Sequence, residues 1–495
     1  MEMKTSPAPA SPTHPALPAH RELFYGGAWH PAHGGAHWEC FSPTNGSSLG
    51  ICADASDADV DAAVQAAHCA FPAWRDTHPS DRAARLRQAA ARIRQHGGDL
   101  ALIDALDCGN AITPMKGDVE NAATQLEFFA GLVTEAKGET IPMGHGRLNY
   151  TLREPLGVVG RIGAFNHPFM FSAAKMAAPL AAGNTVVIKP PEQAPLSTLR
   201  LAELVGDLFP PGVFNVVTGR GKEAGQALVR HPAVAKIGLI GSVEAGRAVM
   251  RTAADTLKPV LLELGGKNAL IGFADADLPA LADAIVQGMN FAWCGQSCGS
   301  TSRVFLHESI HDRIADMVRE RLAAFQPGLP QDPDTTMGAI VSAEQHRRIL
   351  DYIRIGRDEG ATLSYGGTVP ADPGLAQGFF IEPTLFTGVQ PSMRIAREEI
   401  FGPVLSLFRW TDAGAMLAAV NAPDYGLTCS LWTRDLATAL EFSSRVQAGY
   451  VWINEVGRHF LGAPYGGFKQ SGNGREECFD ELLAFTQTKN VHVRY

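Results

Sequence analysis

The sequence predicts an α/β protein of more than one domain, and three observations support that fold class. The chain has 495 residues, which is more than a single hydrophobic core usually supports. Apolar residues make up 45% of it and charged residues 19%, a globular composition. In its middle and later parts, short runs rich in valine and isoleucine alternate with helical stretches. Because strands that alternate with helices form βαβ units, we expect parallel sheets covered by helices on both faces.

Composition also narrows the possible partners. The net charge of −9 provides no basic surface for nucleic acid or for an anionic membrane, so we expect neither as a partner. No uninterrupted apolar run reaches the roughly 18 residues of a membrane span. Eight cysteines are too few for a disulfide scaffold and fit a reducing, cytoplasmic compartment. Cys294 and Cys298 are close together, but no histidine or further cysteine lies nearby at zinc spacing, so we predict no metal site.

The first part of the chain predicts a tail, a hairpin and then helices. Residues 1–20 are rich in proline, alanine and serine and lack the apolar centre of a signal peptide, which predicts a flexible tail. Asn45-Gly46 is a hairpin-turn signal between two short strands. Ser56 precedes residues with helical apolar spacing and is a good N-cap. The helical pattern continues with a break at Gly97-Gly98.

Two α/β series follow this helical block. Residues 150–265 contain the strand-like runs GVVGRIGAF, NTVVIKP, VFNVVTG and VAKIGLIG, each followed by a turn and a helical stretch, which is the architecture of a nucleotide-binding domain. A second series, from about 266 to 450, contains NALIGF, SRVFLH, ATLSYGG, VLSLFRW and TCSLWT. The final stretch, AFTQTKNVHVRY, predicts a terminal strand.

The stretch FAWCGQSCGSTSR contains a candidate nucleophile, Cys298. Small residues surround it, so a substrate carbonyl could come close to the thiol. A thiolate can add to an aldehyde without a metal. A lone cysteine is more often a buried packing residue, and this stretch by itself leaves both interpretations open.

Two further side chains have the chemistry that such a nucleophile needs. Asn166 follows a predicted strand, where α/β folds place ligands, and its amide can donate to an oxyanion. A turn asparagine before Pro168 is the competing and, for this residue alone, favoured interpretation. Glu263 stands between two leucines on a strand that should be buried. Burial raises the pKa of a carboxyl and would make it a general base near neutral pH, although a structural carboxylate fits equally well.

Residues beyond the strand ends suggest a nucleotide site. Lys189 could hold ribose or phosphate oxygens, and Glu192 could accept from a ribose diol while repelling a 2′-phosphate. Gly241 and Ser242 precede a helix whose N-terminal N–H groups could bind a pyrophosphate. A solvated loop and an ordinary glycine turn are the alternatives.

Two later segments complete the set. Glu399 and Phe401 are two apart, so on an extended segment both would face the same way and could hold a ribose and a flat nicotinamide. An ordinary strand edge with one packed ring is the alternative. The glycine-rich stretch PYGGFKQSGNGRE predicts a tight surface loop.

In combination, the motifs FNHPF, KPPE, IGS-x-x-AG, LELGGK, GQSC, EEIFGPV and PYGGFKQSG resemble those of the NAD(P)-dependent aldehyde dehydrogenase superfamily. The resemblance runs in order from about Phe24 to Val493. It implies a Rossmann-like NAD-binding domain, an α/β catalytic domain and a small β flap that joins a neighbouring subunit in a homodimer or homotetramer. The implied boundaries are 21–137 and 159–265 for the first domain, 266–477 for the second, and 138–158 with 478–495 for the flap.

The resemblance also implies a mechanism. Cys298 would attack the aldehyde, the Asn166 amide and the Cys298 N–H would hold the oxyanion, and hydride transfer to NAD would leave a thioester. Glu263 would activate the water that hydrolyses it. Lys175 and Glu476 match positions that relay the proton outward. The alternatives are a coenzyme A-acylating enzyme, against which Glu263 argues, and a catalytically silent binding protein on the same fold.

For ligand contacts, the resemblance implies two sets of residues. The cofactor contacts implied are Ile162, Lys189, Glu192, Gly221, Gly241, Ser242, Leu264, Glu399 and Phe401. The substrate contacts implied are Phe165, His167, Phe169, Trp293, Arg458, His459 and Tyr465. His459 and Tyr465 stand where relatives often have phenylalanine. Rings and imidazoles suit a flat substrate, so we expect an aromatic or heteroaromatic aldehyde, or a semialdehyde whose acid group meets Arg458.

Overall fold

The computed structural model describes residues 16–495. Most of the predicted tail, residues 1–15, lies outside the described residues. The tail prediction does not hold for the remainder, because Ala16 and Pro18 are buried and Leu17 packs against a hydrophobic core.

The strands are short and follow the predicted valine- and isoleucine-rich runs. In chain order they are β1 Leu23–Tyr25, β2 Ala28–His30, β3 His37–Phe41, β4 Ser48–Ala53, β5 Thr140–Ile141, β6 Arg147–Pro155, β7 Val158–Ile162, β8 Thr185–Lys189, β9 Phe214–Val216, β10 Val234–Gly241, β11 Val260–Leu264, β12 Ala269–Gly272, β13 Arg303–His307, β14 Thr362–Tyr365, β15 Thr384–Thr387, β16 Val404–Trp410, β17 Tyr425–Gly426, β18 Thr428–Trp432, β19 Tyr450–Ile453, β20 Phe468–Lys469, β21 Gly472–Asn473 and β22 Thr486–Arg494.

The helices alternate with these strands after an N-terminal helical block. They are α1 Asp57–Arg75, α2 Pro79–Gln95, α3 Gly97–Cys108, α4 Ile112–Gly131, α5 Pro168–Ala174, α6 Ala177–Ala181, α7 Leu196–Val205, α8 Gln226–Arg230, α9 Val243–Ala254, α10 Leu278–Gly288, α11 Glu308–Leu322, α12 Ala343–Asp358, α13 Arg394–Arg397, α14 Ala413–Asn421, α15 Leu436–Arg445 and α16 Phe479–Ala484. Within residues 16–495, no helix is both long and apolar enough to cross a membrane.

Local sequence signals account for several of these boundaries. Ser56 caps α1: its hydroxyl accepts from the Asp59 N–H, and the Asp59 carboxylate accepts from the Ser56 N–H at 2.8 Å. Such a reciprocal cap stabilises a helix start by about 1 kcal/mol. Gly46 turns the chain between β3 and β4 with a φ of 69°, as the hairpin signal predicted. The predicted break falls between the end of α2 and Gly97.

The first large sheet has the order β2-β1-β9-β8-β7-β10-β11-β21. Strands β7 to β11 run parallel to one another, and the chain changes its direction of travel across the sheet between β7 and β10. The crevice at the carboxyl ends of such strands is where open α/β sheets bind ligands.

Helices cover both faces of this sheet because its strands alternate their side chains between two cores. On β8, Val186 and Ile188 point to the core that α2 to α7 form, whereas Val187 points to the core of α1, α8 and α9. Because they are buried on both sides, these strands are apolar throughout, and such continuous apolar runs are what predicted them from the sequence.

The second large sheet has the order β14-β15-β16-β13-β12-β18-β19. Its strands are parallel except for β14, which pairs antiparallel with β15. It has its own hydrophobic core, which includes residues of α10, α11 and α12.

A separate three-stranded sheet, β22-β6-β5, pairs the two segments predicted to form the flap. Its register runs from Thr486 opposite Pro155 to Arg494 opposite Arg147. Leu482 and Phe485, at α16 within the segment predicted for the flap, pack in the first core.

The glycine-rich stretch near residue 470 is more than a surface loop. Its strand β21 pairs antiparallel with β11, so that Gly472 lies opposite Glu263. Ser471 is fully buried. A segment predicted to belong to the second domain therefore forms an edge of the first sheet and brings the residues that follow it toward Glu263.

Candidate active site

The loop that contains Cys298 is held in an unusual conformation. It begins with a 3-10 turn, Phe291–Trp293, flanked by Asn290 and Cys294, both with a φ of 56°. Gly295 follows with a φ of 66°, and a Cβ there would lie 2.4 Å from the carbonyl oxygen of Gly402. Only glycine allows this close approach, so the small residues of the motif serve the loop geometry.

The backbone of Cys298 is fixed at its carbonyl and open at its N–H. The Asn268 amide donates to the Cys298 carbonyl at 2.6 Å and to the Ser300 carbonyl at 3.0 Å. Within residues 16–495, no group accepts a hydrogen bond from the Cys298 N–H. That donor is therefore left for a substrate oxygen.

Asn166 is also positioned through its backbone. Its carbonyl accepts from the Asn110 amide at 2.8 Å, and Asn166 itself is nearly fully buried between β7 and α5. No side chain or backbone group of the described residues bonds to the Asn166 side-chain amide, which faces a cavity. Asn110 was not singled out in the sequence, and no local signal marks it.

Two cavities meet at Cys298 and Glu263. The first, about 470 Å³, lies at the carboxyl ends of β7, β8, β10 and β11, and we call it the strand-end cavity. The second, about 540 Å³, has walls that include His167, Trp293 and Tyr465, and we call it the aromatic cavity. Cys298 and Glu263 are the two residues that line both. A larger cleft of about 830 Å³, beside Arg319 and Arg409, shares no residue with either.

Burial controls the protonation of the two shared residues. It raises the pKa of Glu263 to about 8, and one carboxylate oxygen has no partner in the described part of the chain. Burial, followed by the negative charge of Glu263, raises the pKa of the Cys298 thiol well above its usual value. The Tyr465 hydroxyl lies 3.9 Å from the sulfur and opposes that shift. A carboxyl with a pKa near 8 is suited to general-base catalysis.

Glu476 bridges two buried cations. One carboxylate oxygen accepts from Arg161 at 2.8 Å, and the other lies 3.0 Å from the Lys175 ammonium. Although burial acts to raise it, the two positive charges hold the pKa of Glu476 at about 2, and the pKa of Lys175 is raised. Both groups therefore stay charged near neutral pH. This arrangement does not favour the implied relay, because neither group readily exchanges a proton there.

The strand-end cavity contains most of the residues implied as cofactor contacts: Ile162, Lys189, Glu192, Gly221, Gly241, Ser242, Glu399 and Phe401. Ser242 caps α9 by accepting from the Ala245 N–H at 3.1 Å, so the helix N-terminus faces the cavity. Glu399 accepts from the Gly266 N–H at 2.8 Å. A Cβ at Gly265 would lie 2.1 Å from the Glu399 carboxylate, which explains a glycine there.

The structure differs from the sequence-based expectation at Leu264, which is not at the cavity, and at Phe401, whose backbone is not extended. Leu264 does not line the cavity; its side chain packs in the core against α9, because it points to the opposite face of the strand from Glu263. Phe401 lines the cavity, but not from an extended segment, since its φ is 58°. The backbone around it is held by Gln345, which donates to the Phe401 carbonyl at 2.8 Å, and by Arg348, which donates to the Glu399 carbonyl at 2.8 Å. Sequence reasoning missed both α12 residues.

The strand-end cavity fits a dinucleotide. The Lys189 side chain is buried, its ammonium has no hydrogen-bond partner in the described residues, and burial lowers its pKa to about 8. An unpaired buried amine needs a polar partner such as a ribose or phosphate oxygen. Glu192 accepts from the Gly221 N–H at 2.8 Å, which fixes a carboxylate at the cavity edge. The helix N-terminus at Ser242 suits a phosphate.

The aromatic cavity contains five of the seven residues implied as substrate contacts: His167, Trp293, Arg458, His459 and Tyr465. Phe169 is not among them, because it lies fully buried in the first core. Phe165 lines the strand-end cavity instead, with its ring 5.6 Å from that of Phe401. The aromatic cavity also has lining residues that were not expected from the sequence: Asp118, Met170, Phe171, Trp452, Leu461 and Glu477.

Fold and site together define an α/β protein with two large sheets and with a thiol and a buried carboxyl at the junction of two cavities. The sequence model of the aldehyde dehydrogenase family matches residues 29–491. Aldehyde dehydrogenase tropH of Talaromyces stipitatus is 51% identical over 492 residues, or 97% of this chain and 95% of that protein. The chain belongs to the aldehyde dehydrogenase family. The predicted fold class and the predicted oxidoreductase class are confirmed.

Solved structures agree closely. The NAD⁺ complex of aldehyde dehydrogenase from Bacillus cereus has a TM-score of 0.93 at 37% identity and covers 96% of both chains. The structure of AldA, an indole-3-acetaldehyde dehydrogenase of P. syringae, in complex with NAD⁺ and IAA has a TM-score of 0.94 at 36% identity, covering 96% of this chain and 97% of that one.

Proposed function

We propose that this protein oxidises an aldehyde to a carboxylic acid with NAD, with Cys298 as the nucleophile. The observation that carries the proposal is that Cys298 and Glu263 are shared by the two cavities. A substrate in the aromatic cavity and a cofactor in the strand-end cavity would therefore meet at the same thiol. When bound, NAD⁺ supplies the hydride acceptor. Lys189, Glu192, Ser242 and Glu399 would hold it.

Carbon–sulfur bond formation is the first chemical step. The Cys298 thiol first loses its proton to solvent; the thiolate then adds to the aldehyde carbon, and the carbonyl electrons move to the oxygen. Two donors without partners in the described residues, the Asn166 side-chain amide and the Cys298 N–H, stabilise that oxyanion. When the oxygen reforms its double bond, a hydride leaves the carbon and a thioester to Cys298 remains.

Hydrolysis of the thioester completes the reaction. Glu263 takes a proton from water, and the resulting hydroxide attacks the thioester carbon and displaces the Cys298 thiolate. The carboxylic acid leaves, and the proton is later released from Glu263. Its pKa of about 8 suits this role, because a carboxylate at its usual pKa would be a weaker base.

An aromatic or heteroaromatic aldehyde is the substrate class that the cavity favours. Four rings line it, those of Phe171, Trp293, Trp452 and Tyr465. Arg458 gives little support to the acid-bearing alternative, because its guanidinium is two-thirds exposed, lies 3.8 Å from Glu455 and stacks on Phe460. The similarity to an indole-3-acetaldehyde dehydrogenase is in keeping with a flat substrate.

We also propose a homodimer or homotetramer assembled through the β22-β6-β5 sheet. Strand β5 has two residues and both are exposed, so this sheet is largely uncovered in a single chain. Such an uncovered sheet is stabilised when another subunit packs on it.

We propose the cytoplasm as the location of the protein. Its eight cysteines are all free, which suits a reducing compartment.

The test of the function is a screen for NADH formation with analysis of the organic product. Wild-type enzyme should convert benzaldehyde-type substrates to the free acid, with or without coenzyme A; an acyl-coenzyme A product would establish the acylating alternative. Cys298→Ala should abolish turnover and retain NAD⁺ binding. The matched control is Cys294→Ala, because Cys294 is buried, donates to the Ala339 carbonyl and lines neither cavity. An essential Cys294 with a dispensable Cys298 would refute the assignment.

A further inference from the structure

An imidazole with one occupied and one open nitrogen lines the aromatic cavity. The His167 Nδ1 lies 2.7 Å from a carboxylate oxygen of Asp118, and the same oxygen accepts from the Trp293 indole at 3.4 Å. Asp118 is nearly fully buried on α4. Because a carboxylate only accepts, the tautomer of an uncharged imidazole that suits this contact has its proton on Nδ1. In that tautomer the Nε2 atom is an acceptor, and within residues 16–495 the contact with Asp118 is the only hydrogen bond of the ring.

Ring packing fixes the direction of that acceptor. The His167 ring lies 5.2 Å from Phe171 and 5.5 Å from Trp293, measured between ring centroids. Both neighbours also line the cavity. A flat ring bound among them would lie within reach of Nε2 at its edge.

A second imidazole repeats the arrangement at another wall. The His459 Nδ1 lies 3.1 Å from a carboxylate oxygen of Glu477, and its ring centroid lies 4.3 Å from that of Tyr465. Against the effect of burial, the imidazole lowers the pKa of Glu477. Two carboxylates, Asp118 and Glu477, thus line the cavity, and each is within hydrogen-bond distance of an imidazole nitrogen.

The charged groups of the cavity bear on which ring substituent it can accept. Of the cations that line the cavity in the described chain, Lys175 is paired with Glu476 at 3.0 Å and Arg458 lies 3.8 Å from Glu455, so a distal carboxylate would compete with these partners and would also face Asp118 and Glu477. A quaternary ammonium group would be attracted to the rings and carboxylates of the cavity, but it has no hydrogen to donate to the His167 Nε2, so the first experiment includes it as a competing class. A hydroxyl group donates one hydrogen bond and adds no charge.

We propose that the natural substrate is an aromatic aldehyde with a ring hydroxyl, which donates to the Nε2 of His167 while Asp118 holds the imidazole in place. The proposal rests on the proposed function and names its substrate class. His167 is then a specificity-determining residue, and Asp118 a positioning residue that acts through it. A substrate without the hydroxyl leaves a desolvated acceptor unpaired, which is why discrimination is expected.

The first experiment compares benzaldehyde with its three monohydroxy isomers, with 4-carboxybenzaldehyde and with a trimethylammonium-substituted benzaldehyde. For wild-type enzyme we expect kcat/KM for one hydroxy isomer to exceed that for benzaldehyde by at least about tenfold. In His167→Phe, which keeps a ring and removes both nitrogens, that ratio should fall to within about threefold of one. His459→Phe is the matched imidazole control. It should keep the wild-type ratio of the two kcat/KM values if His167 is the residue that binds the ring hydroxyl.

The second experiment tests the tautomer. In Asp118→Asn the amide can donate to Nδ1, which moves the imidazole proton to Nε2 and turns that atom into a donor. The preference for hydroxy over methoxy benzaldehyde should then shrink, since a methoxy group only accepts. A purely structural role for Asp118 would lower both rates and leave their ratio unchanged.

Binding measurements separate this proposal from the proposed function. Calorimetry with hydroxybenzoate and benzoate needs no turnover and should show the same preference. If aldehydes are oxidised through Cys298 without any hydroxyl preference, or with a preference for the carboxylate or ammonium substrate, the proposal fails and the function stands. If hydroxybenzoate binds preferentially but no aldehyde is oxidised, the function fails and the site assignment stands.

Discussion

The phenol oxygen of Tyr465 lies 3.9 Å from the sulfur of Cys298. Tyr465 is almost fully buried and reaches the thiol from the segment that follows β19, far along the chain from the cysteine loop. Its hydroxyl can donate to a thiolate and so favours the charged form, against burial and the charge of Glu263. We therefore expect Tyr465 to affect the reactivity of the Cys298 thiol as well as the shape of the aromatic cavity.

Tyr465→Phe tests this contact, since it keeps the ring and removes the donor. We expect the pKa of the Cys298 thiol to rise, and the rate of iodoacetamide alkylation at fixed pH to fall roughly two- to tenfold, the range of one lost hydrogen bond. NAD⁺ affinity should not change, because Tyr465 does not line the strand-end cavity. An unchanged alkylation profile against pH would show that the hydroxyl does not contact the thiolate.

Glu263→Gln should separate the two halves of the reaction. It keeps the shape of the side chain and removes the base, so we expect a burst of NADH followed by slow turnover as acyl-enzyme accumulates. In wild-type enzyme, hydrolysis of the acyl-enzyme should rise about tenfold per pH unit and level off above pH 8, because the carboxyl, with a pKa of about 8, becomes the base only when it loses its proton. Rapid-quench measurements across pH provide the profile. A variant that shows neither burst nor turnover would assign Glu263 a structural role or a role in activating the thiol.

Glu192 should select NAD⁺ over NADP⁺. The Gly221 N–H holds its carboxylate at the cavity edge, where a 2′-phosphate would meet a like charge. We expect discrimination of at least about tenfold, or about 1.4 kcal/mol, in the dissociation constants measured by quenching of protein fluorescence. Glu192→Gln should narrow the difference by improving NADP⁺ binding. Equal affinities in the wild type would mean that the carboxylate moves away from the ribose.

Glu476→Gln should destabilise the fold strongly, because it leaves Arg161 and Lys175 buried without their shared charge. We expect a loss of about 3–5 kcal/mol in the free energy of unfolding, measured by urea titration. Glu398→Gln is the control: it also breaks an ion pair, with Arg394, but at a half-exposed site, so it should cost about 1 kcal/mol or less.

The contacts of Glu476 with Arg161 and Lys175 make a pH-dependent contribution to the free energy of unfolding. The pKa of Glu476 is depressed to about 2 in the folded state, so its contribution is complete above the ordinary carboxyl pKa and is lost as the pH falls toward 2. Glu476→Gln should therefore differ most from wild type near neutral pH and least in acid. If wild type and Glu476→Gln differed equally in their free energy of unfolding at neutral pH and in acid, the charge of Glu476 would be excluded as the cause.

The sequence by itself determined the fold class and pointed to the candidate reacting groups. Parallel strands buried on both faces are continuous apolar runs, so their ends could be located. Residues at those ends or just beyond them, such as Lys189 and Asn166, meet at one edge of the sheet. The glycines around Cys298 identified its loop, because close backbone approach leaves no room for a Cβ.

Only the tertiary structure decided which face each side chain presents and which distant residues meet. Leu264 and Glu263 are neighbours, yet one lies in a core and the other in both cavities, because a strand alternates its faces. Asp118 meets His167 from 49 residues away. No local pattern encodes that pair, since the contact depends on how α4 packs against α5, and packing is set by the whole core.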